Sequence, residues 1–293
     1  MKTRIISGLI GVVILFIVLS QFHTWIFNVT LFALYTIAVT EINNAFREKN
    51  VKRTSRLLHA AGVVVLLFNS YEMKSVNYML MAALFAVGFA TIVVFNFEKI
   101  NFMTVAAEIA FGTYVLFGFW SILRFKYLMP YTPFGWDGAF MLILTAVIAW
   151  GGDVFAYFAG YFFGKHKLAP VLSPKKTKEG AVGGVVGSVL LTCFILWAYS
   201  MLKPLLEGSA AVYSFDMQHM LIIGIIAACG SVVGMIGDLF ASAVKRNVGI
   251  KDYGNLMPGH GGVMDRFDSV LLVAPIVSSF LGIVVNAGGI FNV

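Results

Sequence analysis

Residues 217–243 read MQHMLIIGIIAACGSVVGMIGDLFASA, a run that holds no Lys or Arg and whose single acidic residue is Asp238. Crossing the hydrocarbon core of a bilayer takes about 20 mostly apolar residues in a helix, so this stretch predicts a membrane span with a carboxylate near one end. Outward from it, further apolar segments lie near 5–21, 24–42, 57–69, 77–95, 103–123, 138–163, 181–202 and 269–291. Hydrophobic residues make up 59% of the 293 residues and charged residues 12%, against about 25% charged in a soluble domain. The sequence therefore predicts an all-α, polytopic integral membrane protein with about nine transmembrane helices. The segment 57–69 is short enough to be a tilted or partly buried helix.

Orientation follows from the basic residues, because Lys and Arg of short loops accumulate on the cytosolic side. With a cytosolic N-terminus and strict alternation, only Lys74, Arg124, Lys126 and Lys203 of the 21 Lys and Arg residues fall outside. This distribution explains the net charge of +7 by membrane topology, with no nucleic-acid partner. The first segment has the charge and apolarity of a signal peptide but no small-residue cleavage site, and is expected to be retained as the first span. We read 1–293 as one membrane domain, in which 1–137 supplies less informative helices and 138–293 carries the chemistry. Cys193 and Cys229 lie in apolar runs and are expected to be small buried hydrophobes.

Carboxylates in or beside apolar spans are costly and need a partner, a cavity or a function. Asp153, Asp238 and Glu108 are the candidates, and Asp153 and Asp238 fall toward the cytosolic ends of their spans. The loop 245–268 adds KRNVGIKDYGNLMPGHGGVMDRFD. If the last helix begins near Gly262, Asp265 and Asp268 share a face over its first turn. The helix dipole alone would favour them there; together with Asp238 they resemble a hard-cation site of oxygen ligands. Mg²⁺ suits one or two carboxylates, retained waters and substrate phosphates. Lys245 and Arg246 would neutralise phosphate oxygens. Gly261 and Gly262 let backbone N–H groups approach a phosphate, and His260 is either a plain loop histidine or a phosphate contact.

The other basic loop, 164–180, reads GKHKLAPVLSPKKTKEG. Its lysines satisfy the positive-inside rule and attract anionic lipid, while Ser173 and Thr177 add hydroxyls and Glu179 is expected to pair with a lysine. The pairs Gly160/Gly164, Gly183/Gly187 and Gly230/Gly234 read as close helix packing. No GxxxxGK[ST] string occurs, which excludes a P-loop enzyme.

Two stretches carry a family resemblance. Ser242 to Asp268, SAVKRNVGIKDYGNLMPGHGGVMDRFD, resembles the signature of phosphatidate cytidylyltransferases, or CDP-diacylglycerol synthases. Met257 stands where that family usually has Leu, Ile or Phe. The stretch 152–184, GDVFAYFAGYFFGKHKLAPVLSPKKTKEGAVGG, is similar to the family's preceding conserved region. The N-terminal half offers no residue-by-residue match, so no role is carried onto Glu41 or Glu108.

The resemblance implies that phosphatidate and CTP give CDP-diacylglycerol and pyrophosphate at the cytosolic face of the cell membrane, without a protein nucleophile. It further implies Asp238, Asp265, Asp268, Lys245 and Arg246 as catalytic, with Asp238 and Asp265 holding Mg²⁺ and a monovalent cation such as K⁺ assisting. Ser173, Lys175, Lys176, Thr177, Lys178, Asp153, His260, Gly261, Gly262 and Arg266 are expected at the substrates. A homodimer through small-residue faces is also expected. The competing reading is a transporter using intramembrane carboxylates, but its related halves are missing. A CDP-alcohol phosphotransferase would need a DG-x2-AR run, which the chain lacks.

Overall fold

A computed structural model describes residues 2–46, 52–67, 78–99, 101–128, 137–207, 217–256, 259 and 261–286. Helices dominate, in agreement with the all-α membrane reading. The chain is a multi-pass membrane protein: five helices among the described residues are long and apolar enough to cross a membrane, and four shorter apolar ones accompany them. Their outer faces are large and apolar, as at Phe95 and Phe163, which are 80% and 70% exposed. Surface of that kind is stable against lipid and not against water.

The chain divides into two compact units, Met1–Leu123 with Lys245–Phe267, and Arg124–Val244 with Asp268–Val293. The first holds helices α1 (Lys2–Ser20), α2 (Trp25–Phe46), α3 (Lys52–Gly62), α4 (Tyr78–Phe95) and most of α5 (Phe102–Leu128). Its centre is Tyr35, whose hydroxyl donates to the Leu58 carbonyl at 2.8 Å and whose ring meets Phe119 edge-on at 6.2 Å. After α3 the helix widens into a π turn, Val63–Leu67. Such turns loosen the backbone ladder, and here Asn28 of α2 donates its amide N–H to the Leu66 carbonyl at 3.0 Å. The described part of the short third apolar segment is thus this α3 and π-turn element, too short to count among the five crossing helices. Glu108 of α5 accepts a hydrogen bond from the Thr54 hydroxyl, so its burial has at least one polar partner.

In the second unit, α6 (Asp137–Ala146) runs through another π turn, Val147–Gly151, into α7 (Gly152–Phe163). A hairpin follows, β1 (Lys167–Ala169) antiparallel to β2 (Ser173–Thr177), and leads to α8 (Lys178–Glu207). The stretch read from sequence as a basic loop is therefore partly regular structure. Glycines bring α7 and α8 together. A Cβ at Gly183 would collide with Ala159, one at Gly187 with the Phe155 ring, and one at Gly184 with the Gly152 carbonyl. Helix α9 (Met217–Asn247) seats Gly230 on Ile148 and Val273, and Gly234 on Val273. The Gly183/Gly187 and Gly230/Gly234 pairs pack helices, as expected, whereas Gly160 and Gly164, the latter just past the end of α7, both lie against Thr177 of the hairpin.

Two expectations change. The last helix does not start near Gly262: a single four-residue turn, α10 (Met264–Phe267), ends before Asp268, and α11 (Val270–Asn286) starts afresh. Asp268 turns its Oδ1 onto the Ser269 N–H at 2.8 Å, so Asp265 and Asp268 do not share one continuous helix face. The cysteines are not buried either. Cys193 is half-buried and Cys229 exposed, because in a membrane protein an apolar side chain is equally at home facing lipid.

Candidate active site

The side chains singled out from the sequence fall into two groups, one in each compact unit. In the second unit, Lys176 on β2 forms an ion pair with Asp238 of α9. Asp153, in the first turn of α7, interacts electrostatically with both of them. One lysine thus serves two carboxylates, which lie where the π turn hands over to α7 and near the C-terminal end of α9. The Ser242 hydroxyl donates to Asp238 at 3.5 Å.

The hairpin that presents Lys176 is fastened at its base. The Lys178 N–H donates to the His166 carbonyl at 2.9 Å. Glu179 accepts the backbone N–H of Lys165 at 3.0 Å and pairs with the His166 ring at 2.6 Å. The partner of Glu179 is therefore a histidine and not the expected lysine. Thr177 is buried, and its hydroxyl accepts the Gly180 N–H at 3.1 Å, capping α8 as N-terminal Thr residues do. Lys175 and Lys178 are exposed, and Ser173 is half-buried at the start of β2. Asp268 is buried with its backbone against the Gly237 face of α9.

In the first unit, Asp265 is the centre. Its Oδ1 accepts from Lys245 Nζ at 2.9 Å, while its Oδ2 accepts the Tyr253 N–H at 2.8 Å and the Gly262 N–H at 3.1 Å. Lys245 also lies 5.4 Å from the Tyr253 ring centroid, a cation–π distance. The loop bends through left-handed backbone at Gly261, φ +86°, a conformation that any side chain would strain. Arg246 and Arg266 are exposed. His260 lies outside the described residues.

Glu41 belongs to this group, and the sequence reading left it without a role. Its Oε1 accepts the Val263 N–H at 3.0 Å and its Oε2 the Met264 N–H at 2.9 Å. A Cβ at Gly254 or Gly262 would overlap the Glu41 carboxylate, so these glycines make room for an acid from α2. The available signal was a lone carboxylate in an apolar run.

Acid–lysine pairs at the ends of membrane helices, with a capped basic hairpin, suit the handling of an anionic substrate. Residues 2–284 match the model of the Cytidylyltransferase family. The chain belongs to that family. Within it, the chain is 31% identical over 299 residues to a phosphatidate cytidylyltransferase of Bacillus subtilis, covering 97% of this chain and 98% of the relative. It is 29% identical to the phosphatidate cytidylyltransferase of Staphylococcus saprophyticus, covering 96% and 99%. The family match takes in both the hairpin and the Asp265 loop. Among the described residues, no three His, Cys, Asp or Glu side chains gather as a ready metal cage. A Mg²⁺ site of one or two carboxylates completed by substrate phosphates asks for fewer protein ligands than that.

Proposed function

We infer that this chain is a phosphatidate cytidylyltransferase, which transfers the CMP part of CTP to phosphatidate and releases pyrophosphate. The observation that carries this is kinship over nearly the whole chain with enzymes of that name. One substrate is an anionic lipid and the other a water-soluble triphosphate, so the site has to lie where membrane and water meet. We place it at the cytosolic face of the cell membrane, which the uneven spread of Lys and Arg supports.

A phosphatidate oxygen, already anionic, attacks the α-phosphorus of CTP. The new P–O bond forms as the bond to the bridging oxygen breaks, and pyrophosphate leaves. The protein's task is to position the two phosphates and to offset their charge. Lys245, Arg246 and Arg266 are assigned to phosphate oxygens, as are Lys175, Lys176 and Lys178 of the hairpin. Asp153 and Asp268 support the other groups.

The chemistry of Asp238 and Asp265 fits Mg²⁺: both are carboxylates that already attract a cation, the ammonium of Lys176 or of Lys245. Each is assigned as a carboxylate ligand for Mg²⁺. When bound, Mg²⁺ would offset the charge developing on the phosphates, with K⁺ as an assisting ion.

The test is pyrophosphate release from CTP by protein purified in detergent, with and without phosphatidate and Mg²⁺. Release that needs phosphatidate, with CDP-diacylglycerol recovered as the lipid product, is expected. A folded protein supplied with lipid that releases no pyrophosphate under any ionic condition would sink the reading. Loss of the Mg²⁺ requirement alone would remove only the metal assignment.

A further inference from the structure

Glu41 sits in α2, a helix long and apolar enough to span the membrane, and is only 7% exposed. A carboxylate there needs compensation. It finds it 222 residues away in sequence, at the Val263 N–H, and at the next N–H, of Met264. Both carboxylate oxygens are engaged, one to each N–H. Two such bonds fix the orientation of the backbone as well as its distance, and charge-assisted bonds are the strong kind.

The residue that follows this clamped segment is Asp265. The clamp holds the peptide units just before it, and Gly262, whose N–H donates to Asp265 Oδ2, has its open face against Glu41. On the other side Gly254 also lies against Glu41, next to Tyr253, whose N–H is the second donor to Asp265. Glu41 therefore touches both strands of the loop that aim the Asp265 carboxylate at Lys245.

We propose that Glu41 is a positioning residue for Asp265, setting the place of the carboxylate by clamping the Val263 and Met264 amides. This rests on Asp265 acting in the reaction. Glu41 has no contact with the reacting atoms in this scheme; it acts through the loop.

The experiment is a kinetic double-mutant cycle with Glu41→Gln and Asp265→Asn, measured as CTP-dependent pyrophosphate release in phosphatidate-containing micelles. Gln keeps one acceptor and turns an NH₂ group toward the other N–H. With rates normalised to folded protein, Glu41→Gln is expected to lower kcat about 10- to 100-fold, the usual effect of a small misplacement. Asp265→Asn should then cost clearly less in the Glu41→Gln background than in the unaltered protein, because coupled residues are non-additive. A purely structural role for Glu41 would leave the two effects multiplicative, and that result overturns the proposal.

Should Glu41→Gln fail to fold, Met264→Pro decides by the same cycle, since it removes one donor at a first helical position where proline is tolerated. Full activity in Asp265→Asn alone would remove the role of Asp265 and the proposal with it. A disabled Asp265→Asn beside an unimpaired Glu41→Gln would overturn the positioning role only.

Discussion

Lys176, on the second strand of the hairpin, is ion-paired with Asp238 toward the C-terminal end of α9, each side chain about a quarter exposed at 25% and 26%. The hairpin is thereby tied to the helix that carries the expected metal ligand. Replacing Lys176 by Met should lower stability by about 1–3 kcal/mol, because the ammonium itself is buried and its loss leaves Asp153 and Asp238 without their shared counter-charge. The rate of CTP-dependent pyrophosphate release should nevertheless fall about tenfold or more, since charge aimed at phosphate counts most in the transition state. Thermal melting and kinetics on the same preparation separate the two effects; equal losses in both would count against a role in phosphate handling.

For Asp265→Asn we expect kcat/KM to drop about 10²- to 10³-fold, or about 3–4 kcal/mol of transition-state stabilisation. The side chain is 3% exposed and paired with Lys245, so the variant also leaves an ammonium without its counter-charge. Incorporation of labelled CTP into lipid reads the loss directly, and activity within twofold of the unaltered enzyme would contradict it.

Gly262 and Gly249 make a matched pair. A methyl at Gly262 meets the Glu41 carboxylate, whereas one at Gly249, φ +74°, meets nothing within 4 Å. Gly249→Ala should cost about 1–2 kcal/mol from left-handed backbone alone and leave the rate unchanged. Gly262→Ala should cost about 1–3 kcal/mol from overpacking and also lower the rate. Melting temperatures with initial rates decide; a silent Gly262→Ala would mean that the loop yields without consequence.

Lys203 and Asp137 form a pair of another kind. They meet at 2.8 Å with side chains 5% and 14% exposed, and Asp137 accepts the Tyr199 hydroxyl at 2.7 Å as well. Breaking a buried pair from one side typically costs about 3–5 kcal/mol. Lys203→Met should therefore lower the melting temperature strongly, and Lys203→Met with Asp137→Asn should recover part of it. An additive double variant would show that the two residues act separately.

Much of this was legible in the residues themselves. Apolar runs place the helices, since lipid selects for length and composition over stretches that no other constraint interrupts. Asp238, Lys245 and Asp265 stood out as charges beside such runs. The hairpin did not, because β1 is three residues long and is followed by proline, leaving too little alternation to see. The break before α11 was readable in principle: Asp268 and Ser269 ahead of an apolar run are helix-start residues. Glu41 was hidden for a different reason. Its partners are backbone N–H groups, which every residue type provides, so nothing in the spelling of Val263 and Met264 marks them.

The π turn Val147–Gly151, which runs into α7 one residue ahead of Asp153, sets where this polypeptide can change length. In an ordinary α-helix the loss of one residue rotates everything beyond it by about 100°, which would swing Asp153 away from Lys176. A π turn holds one residue more than an α turn does. A one-residue deletion there can close the wider turn into an α turn and leave α7 facing as it does now. Between Asp137 and Phe163, these five residues are where the loss of one position is expected to keep the acid in its place.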